Sequence, residues 1–328
     1  MIQRRHLLSL PAVLALPTLS IPETALAQQD KISRLIVGFP PGGGTDVAAR
    51  TLAEKLRGSY PAGIIVENKP GAAARLSVEY VKNAAADGTT MLFTPDFAMT
   101  IYPHSFRKLN YDPIKDFTPV AACAKTALAF IVGPSVPESV KTLADFVAWC
   151  KANPKQAAYA STSAGATPHF AGVMFSKAAG VNLLHVPYKG GAPALQDLMG
   201  GQIASSFNPI GEVLPQLKSG KVRVLATTGA QRSKFMPDVP TLVESGFKDV
   251  VAEIWLGILM PANTPPAVVA KASAAINEAL KSQELNDTFS KFGMDPFLST
   301  PESFAALIKN DLAMWGPIIK ASGFTAEE

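Results

Sequence analysis

Short apolar runs and longer stretches with apolar residues at helical spacing alternate along this chain. The first unit is typical of the rest. Positions 34–39 are predicted to form a buried strand, positions 40–44 are prolines and glycines, and Val47, Leu52 and Leu56 then fall on one face of a predicted helix at 45–56. Strands that alternate with helices of this length build mainly parallel sheets that helices cover on both faces. The pattern therefore predicts an α/β fold.

The same alternation predicts further elements almost to the end of the chain. Further strands are predicted at 64–67, 90–94, 130–132, 157–160, 183–186, 203–207 and 223–227, and further helices at 74–85, 142–150, 168–179, 192–199, 266–281 and 301–321. No internal repeat, linker or low-complexity tract interrupts this order.

Length and composition narrow the class of protein. A chain of 328 residues suggests two domains at about 150 residues each. Apolar residues make up 48% and charged residues 17%, which excludes a disordered or coiled-coil chain. The formal charge is only +4 and no run of lysine or arginine occurs, so we expect no nucleic-acid partner. No stretch reaches the roughly 18 apolar residues that a membrane-spanning helix needs.

The first 27 residues have the layout of a signal peptide. Arg4 and Arg5 form a basic start, positions 7–19 are mostly apolar, and an Ala-Leu-Ala sequence ends at Ala27. A signal peptidase cleaves after small-x-small patterns of this kind, so we predict export with cleavage after Ala27. The paired arginines fit either the general or the twin-arginine export route.

Export makes the two cysteines relevant, because an oxidising compartment permits a disulfide. Cys123 and Cys150 both lie in apolar surroundings in the sequence. The alternative is that each is a buried small apolar side chain.

Three loops between predicted strands and helices are rich in small residues. They are the first loop (40–46), the second loop (161–167) and the third loop (187–192). In open α/β sheets, ligands bind beyond the carboxyl ends of the strands, where such loops open the following helices. Helix N-termini present unpaired N–H groups and a partial positive charge, which favours an anion. Such loops also have a purely structural explanation, because glycine and proline end most strands.

Other kinds of site find no support in the sequence. Gly42, Gly43 and Gly44 do not form a dinucleotide-binding fingerprint, since Val47 stands where its third glycine would be, and no Gly-Lys-Ser/Thr follows as in a Walker loop. There is no Gly-x-Ser-x-Gly elbow, and the four histidines have no metal-ligand spacing. We therefore expect no catalytic residues, no metal and no cofactor.

An ordered set of motifs resembles one family throughout the mature chain, the Bug-type receptors of tripartite tricarboxylate transporters. The motifs lie at 38–50 (GFPPGGGTDVAAR), 66–72 (VENKPGA), 87–90 (DGTT), 111–117 (YDPIKDF), 185–194 (HVPYKGGAPA), 237–241 (PDVPT) and 255–257 (WLG).

The resemblance implies a two-lobed periplasmic-binding-protein fold of the Venus-flytrap type, type II-like, with a mainly parallel sheet and flanking helices in each lobe. It also implies a periplasmic receptor, not an enzyme, that clamps a small carboxylated molecule and delivers it to membrane transporter subunits, working as a monomer. By position, the resemblance implies ligand contacts at Phe39, Pro41, Gly42 and Gly43 in the first lobe, and at Ser161, Thr162, Gly165, Ala166, His169, Lys189, Gly190, Gly191 and Asn208 in the second. Asn208 stands where the family usually has an aspartate.

The same resemblance predicts the lobe limits. Residues 28–124 and 227–328 are expected to form lobe 1 and residues 125–226 lobe 2, with hinge strands near 120–125 and 224–228. Two alternative functions stay open. The protein could sense a ligand for a signalling system, or it could be a periplasmic hydrolase with Ser161 or Ser163 close to His169.

Overall fold

The computed structural model describes residues 32–60 and 63–326. The predicted signal peptide, residues 1–27, lies outside these ranges. Within them, no helix is long and apolar enough to cross a bilayer.

The helices and strands follow the predicted alternation. The first part of the chain contains β1 (Ile32–Val37), α1 (Gly44–Leu56), β2 (Gly63–Asn68), α2 (Arg75–Lys82), β3 (Thr90–Pro95), α3 (Phe97–Thr100) and α4 (Tyr102–Ser105). The middle contains β4 (Phe117–Val132), α5 (Leu143–Ala152), β5 (Ala158–Ser161), α6 (Thr167–Ala179), β6 (Leu184–Pro187), α7 (Gly191–Met199), β7 (Ser205–Pro209), α8 (Ile210–Val213) and β8 (Arg223–Thr227). The last part contains β9 (Glu253–Pro261), α9 (Pro266–Ala279), α10 (Gln283–Lys291), β10 (Asp295–Pro296) and α11 (Pro301–Ser322).

The strands of the described chain form one curled sheet whose two halves share β4. The order is β2-β1-β3-β9-β4-β7-β5-β6, and β8 and β10 also pair with β4. We call the half that contains β1, β2, β3, β9 and β10 the first lobe, and the half that contains β5, β6, β7 and β8 the second lobe. The pairs β1–β2, β1–β3, β5–β6 and β5–β7 are parallel, whereas β4 and β9 run antiparallel to their neighbours. The α/β fold is therefore confirmed, with a mixed sheet.

The shared strand β4 is much longer than the predicted strand at 130–132. Its residues 117–127 pair with β9, and its residues 128–132 pair with β7 and β8. Five of its 16 residues are alanine, and alanine has little intrinsic preference for strands. Pairing with both lobes stabilises the strand instead, which explains why this length was not visible in the local sequence.

The chain crosses between the lobes twice in the described residues. The first crossing is within β4, between Ala127 and Leu128, where the pairing partner changes. The return passes Thr228, whose hydroxyl accepts a hydrogen bond from Leu128 N–H (2.9 Å) and donates one to the Ala252 carbonyl. In the segment between Thr228 and Ala252, Phe247 packs on Phe175 of the second lobe, with ring centroids 5.0 Å apart. The predicted lobe limits remain a prediction.

The cysteines lie in different parts of the core. Cys123 packs in the first lobe beneath α1 and α9, and Cys150 packs among the aromatic residues around Phe146. Both are free and buried, and burial raises the pKa of the Cys150 thiol to about 12. The two cysteines therefore match the alternative to a disulfide, in which each is a buried small apolar side chain.

Candidate ligand-binding cleft

A cavity of about 520 Å³ lies between the two lobes. The first lobe contributes Phe39, Gly44, Thr45, Ala73, Pro95, Phe97, Tyr102, Ile254, Leu256, Phe292 and Met294, the shared strand contributes Ala124, Lys125 and Thr126, and the second lobe contributes Thr162, Ser163, Ala166, Pro168, Gly190, Gly191, Pro209, Gly211 and Glu212. The lining includes the start of α1, the start of α6 and the start of α7. Three helix N-termini therefore meet at one cavity.

The first loop is held by a carboxylate at the start of α1. Asp46 accepts hydrogen bonds from Gly42 N–H (2.9 Å), Arg50 Nε (3.0 Å) and Asn68 Nδ2 (2.7 Å), and Asn68 Nδ2 also donates to the Phe39 carbonyl (2.9 Å). Burial alone would raise the pKa of Asp46, but these hydrogen bonds and the charge of Arg50 hold it below its ordinary value. The loop is thus fixed before any ligand arrives.

Glycine at position 42 satisfies a backbone requirement. Gly42 has φ of +91°, a conformation that side chains disfavour, and a methyl group built on either Gly42 or Gly43 would meet no atom within 4 Å. Both residues are exposed. The backbone of the first loop is therefore open to an approaching group.

The second and third loops are tied to each other. Gly190 N–H donates to the Thr162 carbonyl, and Tyr188 N–H donates to the Ser161 carbonyl, both at 2.9 Å. The Tyr188 hydroxyl is itself anchored on Asp197 Oδ2 at 2.8 Å. The second-lobe side of the cleft is therefore one connected backbone surface.

Two stacked imidazoles lie behind the second loop. The rings of His169 and His185 are 3.8 Å apart and nearly parallel, His169 Nδ1 accepts a hydrogen bond from Gly165 N–H (3.2 Å), and His185 Nε2 lies 2.7 Å from Ser161 Oγ. Burial lowers the pKa of His169 to about 3, with a further contribution from His185, and burial lowers the pKa of His185 to about 4. Both rings are neutral at neutral pH, so neither supplies a positive charge.

The acidic residue in the cleft, Glu212, was not among the site residues predicted from the sequence. It lies on α8, and Asn208 Nδ2 donates a hydrogen bond to its Oε2 at 3.0 Å. Burial raises the pKa of Glu212, and the hydrogen bond from Asn208 offsets part of that effect. No loop motif marks this residue in the sequence, because α8 is a single turn that only the fold brings to the cavity.

An aromatic wall faces these polar groups. Phe39 and Phe97 meet edge to face at 6.2 Å, Phe97 and Tyr102 are 5.4 Å apart, and the Tyr102 hydroxyl donates to the Ala73 carbonyl at 3.0 Å. Ala73 and its two neighbours have positive φ values of 46°, 54° and 71° at positions 72, 73 and 74. This is a strained conformation for alanine, each costing about 1–2 kcal/mol.

The predicted site residues divide into three groups. Phe39, Thr162, Ala166, Gly190 and Gly191 line the cavity. Pro41, Gly42, Gly43 and Lys189 are exposed outside the lining, and Ser161, Gly165, His169 and Asn208 are buried behind it. Contact between any of these residues and a ligand remains a prediction. Residues that line the cleft without having been predicted include Thr45, Tyr102, Lys125, Glu212, Phe292 and Met294.

Comparison with known proteins gives a consistent result. The family model described as "Tripartite tricarboxylate transporter family receptor" (TctC) matches residues 48–324. BugT of Bordetella pertussis is 31% identical over 291 residues, covering 88% of this chain and 89% of BugT.

Two solved structures from Rhodopseudomonas palustris share the fold. One, solved with adipate, is 28% identical with a TM-score of 0.80 and covers 90% of this chain and 99% of its own. The other, MatC with bound malate, is 27% identical with a TM-score of 0.75 and covers 88% of this chain and 99% of its own. The expected two-lobed fold and the resemblance stated above are both confirmed. The chain belongs to the tripartite tricarboxylate transporter receptor family.

Proposed function

We propose that this protein is an exported receptor that binds a small carboxylate between its lobes and presents it to the membrane subunits of a transporter. The observation that carries the proposal is the meeting of three helix N-termini, those of α1, α6 and α7, at one cavity. Unpaired N–H groups at such ends bind anions without needing an arginine. Family membership and the adipate and malate bound by two solved relatives support the same ligand class.

The lobes provide a mechanism for capture. The ligand carboxylate binds the first loop, whose shape Asp46 already fixes, and the second-lobe loops then close on it by bending at the two crossings. Preorganised loops reduce the entropy lost on binding, so a weakly charged cleft can still hold an anion. Export by the predicted signal peptide would deliver the receptor to the periplasm, where it acts as a monomer.

The hydrolase alternative has little support in this geometry. Ser161 pairs with His185 rather than with His169, and its side chain is completely buried. Ser163, the other serine of this alternative, lines the cavity, but its hydroxyl donates to the Ala164 carbonyl at 3.2 Å rather than to a histidine.

A binding assay tests the proposal. Mature protein, unfolded and refolded to remove any ligand carried through purification, would be screened by thermal shift against carboxylic acids and their fully amidated counterparts. A ligand at 100 times its Kd stabilises the fold by about 2.7 kcal/mol. We expect shifts with acids and none with the neutral amides.

A pair of glycine variants locates the site. Gly42→Asp places a negative charge in the first loop, and we expect it to abolish binding while leaving the fold intact. Gly58→Asp is the matched control, because Gly58 also has positive φ (+81°) with open space around it but follows α1 at its far end. Equal ligand affinity in Gly42→Asp and wild type would show that the first loop is not the anion site.

A further inference from the structure

Two charged residues belong to the lining of the cavity in the described part of the chain, Lys125 and Glu212. Lys125 Nζ lies 3.9 Å from Glu253 Oε1 and 5.6 Å from the centroid of the Phe297 ring. Both of these partners lie outside the lining. Glu212 is a hydrogen-bond acceptor that already receives the Asn208 amide N–H at 3.0 Å. Neither charged residue therefore directs a cation into the cleft.

The register of β4 explains the direction of the Lys125 side chain. Its neighbours Ala124 and Thr126 are paired with Leu256 and Ile254 of β9, and all four of these residues line the cavity. Successive side chains of a strand point to opposite faces of the sheet. The ammonium group of Lys125 therefore belongs to the face of the sheet that is turned away from the cavity.

Most hydroxyl groups of the lining are already used by the protein. Three of the five donate to carbonyl groups, namely those of Tyr102 (to Ala73, 3.0 Å), Thr126 (to Gly293, 2.7 Å) and Ser163 (to Ala164, 3.2 Å). A hydroxyl has a single O–H, so none of these three can donate to a ligand without giving up its present bond. Within residues 32–60 and 63–326, the two lining hydroxyls that remain are those of Thr45 in the first loop and Thr162 in the second.

The lining beyond the loops is mostly apolar, and this apolar surface begins at the start of α1. A methyl group built on Gly44 would lie 3.3 Å from Met294 Cε and 3.5 Å from Phe292 Cδ1. The aromatic wall that contains Phe39 and Phe97 continues the surface in the first lobe. Three further lining residues have no N–H group because they are prolines, Pro95, Pro168 and Pro209.

This distribution of donors limits what a ligand can carry besides its first carboxylate. An ionised carboxylate only accepts hydrogen bonds, and burying a charge without partners is costly. A second carboxylate away from the loops would lose its water without gaining donors from the side chains. An apolar group in the same place gains free energy by leaving water.

We propose that the cleft selects a monocarboxylate whose remaining part is apolar, such as a straight-chain or phenyl-substituted acid, over a dicarboxylate or a hydroxy acid. This inference rests on the proposed function, since the helix N-termini and the loop hydroxyls must hold the single carboxylate. It distinguishes this chain from the relatives solved with adipate and with malate.

Isothermal titration of the refolded mature protein with matched probes tests the inference. Hexanoate and adipate have the same number of carbon atoms and differ only in the group at the second end, and hexanamide lacks the carboxylate. We expect hexanoate to bind at least about tenfold more tightly than adipate, because the second carboxylate of adipate is left without donors. Phenylacetate should show the same advantage over adipate, and hexanamide should not bind.

A lysine in the apolar surface should change this ranking. Met294→Lys keeps an unbranched side chain and adds an ammonium group, so we expect it to bind adipate at least about tenfold more tightly than wild type does. Met314→Lys is the matched control, because Met314 lies on α11 outside the lining and is 38% exposed, and it should keep the wild-type ranking. Thermal unfolding shows whether both variants fold, and the comparison of probes on wild type does not depend on either variant.

The outcomes separate the two proposals. If wild type binds adipate at least as tightly as hexanoate and phenylacetate, and Gly42→Asp loses all three, the selection for an apolar group is wrong and the proposed function stands. An unchanged ranking in a folded Met294→Lys variant would also overturn the selection. If hexanamide binds as tightly as hexanoate, or wild type binds none of the acids, the proposed function fails and the inference fails with it.

Discussion

The first and third loops look equivalent in sequence, since each is a glycine-rich turn at the start of a helix, yet the fold uses them differently. At the first loop the carboxylate of Asp46 lies behind the turn and fixes its backbone, and the space beside Gly42 is open. At the third loop the carboxylate of Glu212 lies in front of the turn and occupies the space beside Gly191. The acid at the first loop therefore fixes the backbone of the loop, whereas the acid at the third loop fills the space beside a glycine.

As the pH falls, the second-lobe loops should lose stability at a higher pH than the first loop does. This is the largest effect we expect. The folded-state pKa values of His169 and His185 are lowered to about 3 and about 4, so the unfolded chain binds their protons first as pH falls below about 6.5. Stability is lost from there down through the folded pKa values, by about 3 kcal/mol between pH 7 and pH 5 for the pair. Asp46, whose pKa is lowered, loses its contribution only below its ordinary value near 3.8.

The measurement is hydrogen exchange at pH 7 and pH 5 in an Asp96→Asn background. Burial raises the pKa of Asp96 to about 8, so that residue stabilises the fold as pH falls and would mask the histidines. Residues 162–170 should lose protection at pH 5 while residues 42–50 keep it. Equal loss in both segments would contradict the difference between the loops.

Asp46→Asn should release the first loop. The substitution removes the charge that accepts three hydrogen bonds, and we expect a loss of about 2 kcal/mol in unfolding free energy together with at least about tenfold weaker binding. Urea unfolding and calorimetry measure the two effects. Asp112→Asn, in a surface turn where Asp112 accepts bonds from Ile114 N–H and Lys115 N–H, is the control and should keep wild-type affinity.

Gly191→Ala should displace Glu212 from the third loop. The added methyl group forces the carboxylate away from Asn208, which leaves a buried amide unpaired at a cost of about 1.5 kcal/mol. A double-mutant cycle with Glu212→Ala measures the coupling. If the two substitutions add independently, Glu212 does not depend on the glycine at position 191.

Ala73→Gly should have the smallest effect, a gain of about 0.5 kcal/mol in stability. Relief of the positive φ at Ala73 outweighs the extra freedom that glycine gives the unfolded chain. Thermal unfolding measures it, with Ala85→Gly, outside this segment, as the comparison. A stability loss at position 73 would show that the left-handed turn is not strained.

The local sequence was sufficient to predict most helices and strands, but not to predict which strands pair with each other. Most strands and helices were predicted within a few residues, because apolar periodicity and loop composition are local signals. The strand β9 was missed and β4 was predicted too short, since both are stabilised by antiparallel pairing with each other across a long separation in the chain. The three loops rich in small residues were identified from the sequence, and the start of the helix that follows each of them lines the cleft.

The sequence by itself determined the fold class, the family and the positions of the loops that face the cavity, because these follow from periodicity and from ordered motifs. Only the tertiary structure decided what lies on each side of those loops. Asp46 is four residues from Gly42, so its contact is within reach of a sequence argument. Glu212 meets Gly191 only because β7 lies beside β5 in the second lobe, and such a contact depends on strand order, which no local pattern encodes.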